Sequence, residues 1–300
     1  MPNISKLGEF GLIDRIRKTF KMDPSVIRGP GDDCAVVAFN KKYYQLLTCD
    51  MIAEGVDFTR RDDPLLVARK ALAISVSDIA ACAGIPRYCL VTLAMPKTTP
   101  AKYVDGLIRG MRGFAAEFDI NIVGGDLSSA KQIIINTAMC GLVEKNKLVL
   151  RNGAKVGDII FVTGSLGGSI RGRHLSFKPR VEEARYLAAK FRPTAMIDIS
   201  DGLCQDLGHI LKESKVGAVI YEDLIPLNKD ARGIEDALYM GEDFELLFTL
   251  PLGPARKLEK QKPAFCKPIG EIFHKKCGFK MIDKFNRYKL IRPQGYRHFK

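Results

Sequence analysis

Acidic residues follow short apolar stretches at six places in this sequence, and that recurrence constrains the fold more than any other feature. The clearest case is segment 195–207, AMIDISDGLCQDL, where an apolar run leads directly into Asp198, Ser200, Asp201 and Gly202. We interpret it as a strand, a tight acidic turn and the start of a helix. Carboxylates at the end of an apolar strand are costly to bury unless a cation neutralises them.

The other five segments share this design. They are residues 26–33, 43–50, 74–84, 120–126 and 240–245, which contribute Asp33, Asp50, Asp78, Asp126 and Glu242. A single such turn is explained by an Asp or Ser that caps the following helix. Six in one chain instead favour acidic turns that converge on hard divalent cations, because these cations prefer oxygen ligands and accept phosphate as a further ligand.

The composition indicates a globular protein. The 300 residues suggest one large or two medium domains, and 46% hydrophobic with 27% charged residues is ordinary for a soluble chain. No apolar run approaches the roughly 20 residues needed to cross a bilayer, and the first residues do not have the pattern of a signal peptide. We therefore predict a cytoplasmic protein without membrane contact.

The net charge of +13 is concentrated near the C-terminus. Residues 253–300 contain 14 Lys or Arg and 3 Asp or Glu, with aromatic residues between them. Such a segment could stack single-stranded nucleic acid, attract anionic substrates, or simply be solvated. Because no nucleic-acid-binding motif accompanies it, we predict that nucleic acid is not a partner.

Hydrophobic periodicity predicts a mixture of helices and hairpin-connected strands. The predicted helices are 9–20, 64–83, 100–118 and 179–191, and the predicted strands include 35–39, 43–47, 88–94, 133–143, 158–163, 218–221 and 245–249. This order predicts an α+β fold. The polar, glycine-containing connection at 144–156 predicts two domains, 1–145 and 146–300. A glycine-rich turn at 164–169, predicted to lead into a helix, could present N–H groups to a phosphate, although it lacks the lysine of a P-loop.

The chemistry that fits this pattern is phosphoryl transfer. Several Asp residues can hold more than one magnesium ion, and phosphoryl transfer needs mainly alignment and charge neutralisation from the protein. The sequence has no nucleophile elbow, zinc-protease motif or dinucleotide fingerprint. A calcium-binding structural protein would use the same ligand type, but these carboxylates are far apart in sequence, unlike those of an EF-hand.

A set of motifs in this order resembles the thiamine-monophosphate kinase family, within the wider aminoimidazole-ribonucleotide-synthetase-like superfamily. The motifs are residues 8–13, 31–35, 48–58, 77–81, 124–126, 198–203, 241–245 and 295–299. The resemblance implies phosphorylation of thiamine monophosphate to thiamine diphosphate with ATP and Mg²⁺. It also implies two domains: an N-terminal mixed sheet with helices that forms the homodimer and the ATP site, and a C-terminal α+β sandwich.

The resemblance also assigns roles to residues. Magnesium ligands are implied at Asp33, Thr48, Asp50, Asp78, Asp126, Asp198 and Asp201. Nucleotide contacts are implied at Gly125, Asp126, Arg151 and Ser200, and substrate contacts at Asp57, Glu242 and Tyr296. We hypothesise that Asp126 and Asp201 are the catalytic residues and that no side chain acts as a covalent nucleophile. This interpretation requires Asp50, Asp126 and Asp201 to converge in the folded chain.

Three positions depart from the pattern of the family. The family usually has His where Asp57 stands, Asn where Ser75 stands and Thr where Cys49 stands. The change at Asp57 affects the substrate side, where a carboxylate would attract the cationic thiazolium. Two alternatives therefore stay open: another ATP-dependent enzyme of the superfamily with a different acceptor, and a nonenzymatic binding protein that uses the basic segment.

Overall fold

The computed structural model describes residues 4–261 and 263–296. The first half of the chain forms α1 (Ile4–Thr19), β1 (Val26–Arg28), β2 (Ala35–Ala38), β3 (Tyr43–Ala53), α2 (Pro64–Ala81), β4 (Ile85–Met95), α3 (Ala101–Glu117), β5 (Asn121–Ser129) and β6 (Ile134–Glu144). These strands make one sheet in the order β1-β2-β3-β6-β4-β5. Strands β4 and β5 run parallel, and the other neighbouring strands run antiparallel.

The two faces of this first sheet differ in what covers them. Along β3, Leu46 and Ile52 are buried, while Leu47 and Met51 are exposed, as expected when successive side chains point to opposite faces. Helix α2 packs against β3 and β6 on the inward face, and α3 packs on α2. Within the described residues, no helix covers the other face, which we call the outward face.

Helix α2 lies between the two halves of the molecule. It starts at Pro64 after the N-cap Asp63, whose side chain accepts a hydrogen bond from the Leu65 N–H, a common helix start. Its far end packs Ala80 and Ala81 into a core built largely from the second half of the chain. No helix in the described residues, α2 included, is long and apolar enough to cross a bilayer.

The second half of the chain forms a seven-stranded sheet with helices. Its elements are β7 (Ile159–Thr163), α4 (Val181–Lys190), β8 (Ala195–Asp198), α5 (Leu203–Ser214), β9 (Val216–Tyr221), α6 (Ile234–Tyr239), β10 (Leu246–Leu250), α7 (Leu252–Lys260), β11 (Cys266–His274), β12 (Phe279–Ile282) and β13 (Tyr288–Leu290). The strand order is β13-β12-β9-β11-β7-β10-β8, with β12 and β9 parallel. The α+β fold class is confirmed, and the predicted division after residue 145 falls in the connection between β6 and β7.

Two of the predicted acidic turns are not turns, since Asp50 and Asp126 lie within β3 and β5. Asp78 lies within α2, inside the predicted helix 64–83. Strand β3 continues past the predicted end because it pairs with β6 along its whole length, from Tyr43 to Ala53. The hydrogen-bonded ladder therefore determines where Asp50 points: it lies on the inward face, in alternation with the exposed Met51.

The glycine-rich segment 164–169 was predicted to lead into a helix, and this prediction is wrong. Two short 3₁₀ turns, Ser169–Arg171 and Arg173–Leu175, follow it instead. Its N–H groups are also used within the chain, since Gly164 donates to the Phe265 carbonyl and Gly167 to the Asp243 carboxylate. These two groups therefore do not support the predicted phosphate contact.

The basic segment that begins at residue 253 is an integral part of the second sheet. Strand β11 lies between β9 and β7, and its Ile269 and Ile272 are fully buried. Phe285 and Tyr288 are exposed, and lysine ammonium groups lie near both rings. Residues 297–299, the end of the C-terminal motif, lie outside the described residues.

Candidate active site

Four carboxylates from separate parts of the chain meet at the inner edge of α2, and we call them the carboxylate cluster: Asp33, Asp50, Asp78 and Asp198. Carboxylate oxygens of Asp33, Asp78 and Asp198 lie within 4.8 Å of one another. Asp33 comes from the β1–β2 loop, Asp78 from α2 and Asp198 from the end of β8. Asp50 adds a fourth negative charge, which raises the pKa of Asp78 after the effect of burial. The fold thus brings together residues that are up to 165 positions apart.

Hydroxyl groups on two neighbouring elements hold the cluster. On α2, Ser75 donates to Asp50 at 2.7 Å and Ser77 donates to Asp198 at 2.5 Å. On β3, Thr48 donates a short hydrogen bond to Asp78. The three hydroxyls orient the carboxylates without neutralising their charge. Ser75 also shows that the departure from Asn keeps a hydrogen-bond donor beside Asp50.

The electrostatics of the cluster favour an added cation. Burial raises the pKa of Asp198 to about 8, with a further contribution from the charge of Asp33. Among the described residues, Arg151 is the one cation within salt-bridge distance of these carboxylates, at 2.7 Å from Asp33. The second oxygen of Asp33 is buried and has no hydrogen-bond partner. Oxygen ligands with excess negative charge and an unpaired buried oxygen are suited to a hard divalent cation such as Mg²⁺.

A cleft of about 560 Å³, which we call the first cleft, opens beside the cluster between the two halves of the molecule. The lining residues that matter below are Asp50, Asp57, Lys70, Ser200, Asp201, Glu242 and Tyr296. All three predicted substrate contacts therefore share one cavity with two predicted metal ligands.

A smaller cleft of about 260 Å³, the second cleft, lies between α1 and α5. Arg151 lines it and also donates to Asp33, so this arginine connects the second cleft to the carboxylate cluster. Ser200 and Asp201 line both clefts. The two cavities therefore meet at the acidic loop that follows β8.

This acidic loop is fixed from three sides. The Asp206 carboxylate accepts hydrogen bonds from the N–H groups of Asp201 and Gly202, each at 3.1 Å. The Ser200 carbonyl accepts from the Glu242 N–H, and the Asp201 carbonyl accepts from the Tyr296 N–H. Backbone hydrogen bonds to the loop that carries Asp201 therefore position two of the predicted substrate contacts, Glu242 and Tyr296.

Glycine is required beside this loop. Gly241 has φ +73°, and a Cβ atom there would lie 2.3 Å from the Ser200 carbonyl oxygen. Only glycine combines that left-handed conformation with so close a backbone contact. Gly241 thus allows the loop of residues 240–245 to approach the acidic loop.

Asp126 and Gly125 lie apart from the cluster in the single chain. Asp126 is exposed on the edge strand β5 and pairs with Thr92, which in turn pairs with Asn136. Asn136 pairs with Met51 of β3, so this row lies on the outward face, whereas Asp50 lies on the inward face. Three strand spacings, about 14 Å, separate the ends of the row.

The close approach of β4 explains why position 125 of this strand is a glycine. A Cβ atom at Gly125 would lie 1.8 Å from the Val91 carbonyl oxygen of β4, so only a residue without a side chain fits. The convergence of Asp50 and Asp201 on the first cleft is therefore seen in the single chain, while that of Asp126 is not. The nucleotide and metal roles of Gly125 and Asp126 stay predictions.

Two charged residues at the site were missed from the sequence. Lys70, on α2, is 1% exposed and its ammonium group lies 2.5 Å from the Glu242 carboxylate. Asp32 accepts hydrogen bonds from the Arg151 N–H and from Arg28. A lysine inside the apolar run LLVARKALAI of α2 was a usable signal, because a buried ammonium group needs a specific partner.

Comparisons with known proteins agree with this arrangement. Residues 31–143 match the AIR synthase related protein, N-terminal domain, and residues 165–279 match the AIR synthase related protein, C-terminal domain. The two matches cover most of the chain and fall on the first and second sheets respectively.

Relatives that match along nearly the whole chain are thiamine-monophosphate kinases. The thiamine-monophosphate kinase of Aquifex aeolicus is 34% identical and covers 99% of each chain, and that of Buchnera aphidicola (from Schizaphis graminum) is 33% identical, covering 97% of this chain and 99% of its own. The solved structure of AaThiL complexed with AMPPCP and TMP superposes with a TM-score of 0.86 at 30% identity, with 99% of each chain covered.

Proposed function

This chain belongs to the thiamine-monophosphate kinase family, and we propose that it transfers the γ-phosphoryl group of ATP to thiamine monophosphate, with thiamine diphosphate and ADP as products. The observation that carries this proposal is the meeting of the two clefts at Ser200 and Asp201, beside the carboxylate cluster. Phosphoryl transfer requires a donor and an acceptor held in line, with their negative charge neutralised.

We assign the second cleft to the nucleotide and the first cleft to thiamine monophosphate. Arg151 lines the second cleft and carries a fixed positive charge, which suits a nucleotide phosphate. Asp57, Glu242 and Tyr296 line the first cleft, where Tyr296 is 46% exposed and offers a ring face to a planar substrate. AaThiL, which shares this fold, binds AMPPCP and TMP.

The carboxylate cluster would hold the magnesium ions, with Asp201 as a further ligand between the clefts. Bound Mg²⁺ supplies neutralisation of phosphate charge during transfer. The protein itself orients the ligands through Ser75, Ser77 and Thr48. The acceptor is a phosphate oxygen that is already ionised at neutral pH, so the protein does not need a strong general base or a covalent nucleophile.

Asp57 supports the choice of a cationic acceptor. Its carboxylate accepts a hydrogen bond from the Ala53 N–H at 2.8 Å, which fixes it at the wall of the first cleft. A fixed negative charge attracts the thiazolium of thiamine monophosphate, whereas the histidine usual in the family would not when neutral. The departure at Asp57 therefore places a negative charge opposite the cationic acceptor and keeps a polar residue at the wall of the first cleft.

We also propose that the chain forms a homodimer through the outward face. Exposed apolar side chains cover this face: Leu47, Met51, Tyr88, Leu90 and Val123. Contiguous apolar surface of this kind marks protein–protein contacts. A second copy bound there would enclose Asp126, and we assign any metal or nucleotide role of Asp126 and Gly125 to the dimer. Leu90→Asp should convert the dimer to monomer in sedimentation and lower turnover with it.

The function is tested by ADP release from the purified chain with ATP and thiamine monophosphate. We expect turnover that requires Mg²⁺ and is lost with EDTA. A panel of other phosphate, amidine and carbamoyl acceptors is tested in parallel. Turnover with one of those, and none with thiamine monophosphate, would assign the chain to another activity of the superfamily. The absence of nucleotide binding would exclude the kinase altogether.

A further inference from the structure

Lys70 is a buried charge that the proposed phosphoryl transfer does not use. It is 1% exposed in a helix whose neighbouring residues Val67, Ala68 and Ala71 are buried and apolar. Burying an ammonium group is costly unless it is paired and hydrogen-bonded. Its position therefore needs a reason beyond packing.

Two hydrogen bonds offset part of the cost of burying the Lys70 ammonium group. The Lys70 ammonium donates to the Glu242 carboxylate at 2.5 Å and to the Asp57 carbonyl at 3.2 Å. These bonds use two of the three protons of the ammonium group. Lys70 also lines the first cleft, so the pair borders the space in which a ligand would lie. Lys70 thus joins two of the three segments that carry the proposed substrate contacts, those of Asp57 and Glu242.

The Glu242 side of the pair is held in a strained backbone. Glu242 has φ +61° and Phe244 has φ +50°, and both are left-handed conformations that are unusual for residues with a side chain. The Glu242 N–H donates to the Ser200 carbonyl and the Phe244 N–H donates to the Ile199 carbonyl, which holds this conformation. The Phe244 ring also stacks on the Phe177 ring, with 4.1 Å between the ring centroids. Such strain persists where a precise side-chain position is useful.

Helix α2 sets the distance between this pair and the carboxylate cluster. Lys70, Ile74 and Asp78 are four residues apart and share one face of the helix. At a rise of 1.5 Å per residue, the Cα atoms of Lys70 and Asp78 are about 12 Å apart. A substrate with its phosphate at the carboxylate cluster would therefore place its far end, the ring end, near Lys70 and Glu242.

We propose that Lys70 and Glu242 act as one donor–acceptor pair that recognises the aminopyrimidine edge of thiamine monophosphate, and that Lys70 is a specificity-determining residue. The inference rests on the proposed function. The two charges neutralise each other, so the pair offers an N–H donor beside a carboxylate acceptor and not a net charge. An aminopyrimidine presents the complementary order, a ring nitrogen acceptor beside an amino donor. Asp57 remains the partner of the cationic thiazolium.

The test compares thiamine monophosphate with an analogue in which a carbonyl oxygen replaces the amino group of the pyrimidine. This change reverses one hydrogen-bonding role. The wild type should prefer thiamine monophosphate by about 10²-fold or more in kcat/KM, since sites built for hydrogen bonds reject analogues that leave them unpaired. Lys70→Met and Glu242→Gln should each lower that preference by about tenfold or more, with a raised KM for thiamine monophosphate.

Two controls separate recognition from folding. Lys102→Met, at an exposed lysine of α3, makes the same substitution outside the clefts and should leave all constants unchanged. The KM for ATP should stay within about twofold of wild type in each variant, because a folding defect would change both substrates. Glu242→Gln keeps the shape of the side chain, so it tests the pair even if Lys70→Met folds poorly.

The outcomes are distinct. If the wild type turns over thiamine monophosphate and both variants keep the wild-type preference for it over the carbonyl analogue, the inference is overturned and the proposed function stands. A wild type that does not use thiamine monophosphate would overturn both. An equal loss with the amino compound and the carbonyl analogue would show that Lys70 only supports the fold.

Discussion

The molecule contains two groups of buried carboxylates that differ in what surrounds them. In the carboxylate cluster, hydroxyls and the single cation Arg151, among the described residues, contact Asp33, Asp50, Asp78 and Asp198. Around Glu245 and Asp243, in contrast, two arginines are in direct contact. Arg180 bonds Glu245 through two nitrogens, at 2.7 and 2.8 Å, and Arg173 reaches both carboxylates.

The pKa values follow the same division. Burial raises the pKa of Asp198 to about 8, so without an added cation this carboxyl is largely protonated at neutral pH. Burial raises the pKa of Asp243 only to about 6, with Ser169, the Gly167 N–H and Arg173 opposing the rise. Asp243 is therefore ionised at neutral pH by its protein partners alone. The second group is paired with arginines within the chain, whereas the first has one paired cation, Arg151, among the described residues.

We propose that this difference separates carboxylates that stabilise the fold from carboxylates that bind a ligand. Both groups lie next to the motif 241–245, which contributes Glu242 to the first cleft and Asp243 and Glu245 to the arginine-paired group. A buried acid is thus not informative by itself. The number of cations that the chain supplies to it decides between a structural and a binding role.

The largest expected effect is on turnover, at Asp198. Asp198→Asn removes one ligand from the carboxylate cluster, and we expect kcat with thiamine monophosphate to fall by about 10³-fold or more, since a lost metal contact costs several kcal/mol of charge stabilisation. The midpoint of thermal unfolding without Mg²⁺ should change little, because the Asp198 carboxyl is largely protonated at neutral pH and an amide oxygen can still accept the Ser77 hydrogen bond. Steady-state kinetics and calorimetry measure both.

The matched control for this change is Asp105→Asn on the exposed surface of α3, which should keep wild-type turnover. Mg²⁺-dependent turnover of Asp198→Asn within tenfold of wild type would contradict the assignment of the cluster. A large drop in its unfolding midpoint would instead place Asp198 with the structural carboxylates.

The next effect is on stability, at Glu245. Glu245→Gln removes the charge that Arg180 contacts through two nitrogens and that Arg173 reaches at 3.3 Å. We expect the free energy of unfolding to fall by about 3–5 kcal/mol, as for other broken buried pairs. Urea denaturation measures the loss. Glu183→Gln removes the other, more exposed partner of Arg180 and should cost about 1 kcal/mol or less.

The folded fraction of Glu245→Gln should bind Mg²⁺ with the wild-type Kd, since Glu245 does not contact the cluster. Weakened Mg²⁺ binding at unchanged stability would reverse the division between the two groups of carboxylates.

The sequence predicted the fold class and most elements because these depend on local periodicity. Helix α2 and strands β7 and β9 lie within a few residues of their predicted positions, since apolar spacing and flanking Pro or Gly residues are local signals. The direction of Asp50 could not be predicted in this way. It depends on pairing with β6, about 90 residues later, and the sequence of β3 does not specify that partner.

The sequence predicted which residues belong to the candidate site better than it predicted where they lie. The acidic motifs identified Asp33, Asp78 and Asp198, which the fold brings within 4.8 Å. The same kind of motif identified Asp126, which the single chain places on the outward face. Lys70 was missed because a lysine in a helix is usually solvated. Its apolar neighbours in the sequence indicated burial, and the packing of α2 in the folded chain shows it.

The smallest expected effect is on the pH dependence of Mg²⁺ binding. Because the pKa of Asp198 is raised to about 8, Mg²⁺ must displace a proton from the cluster at neutral pH. Affinity should therefore rise with pH between pH 6 and 8, by about tenfold per unit for each proton that the ion displaces. Without Mg²⁺, the folded chain binds more protons than the unfolded chain between about pH 4 and 8, so stability should fall as pH rises through that range.

Titration calorimetry at pH 7 in two buffers of different ionisation enthalpy measures the proton release directly. We expect about one proton or more released per bound ion in the wild type, because the pKa of Asp78 is raised as well as that of Asp198. The number should be the same in Asp243→Asn, since Asp243 is already ionised at this pH and lies in the arginine-paired group. Proton release that disappears in Asp243→Asn would show that the two groups titrate together. A binding affinity that stays flat from pH 6 to 8 would mean that the cluster is ionised before the ion arrives, and its carboxylates would then resemble those that the arginines neutralise.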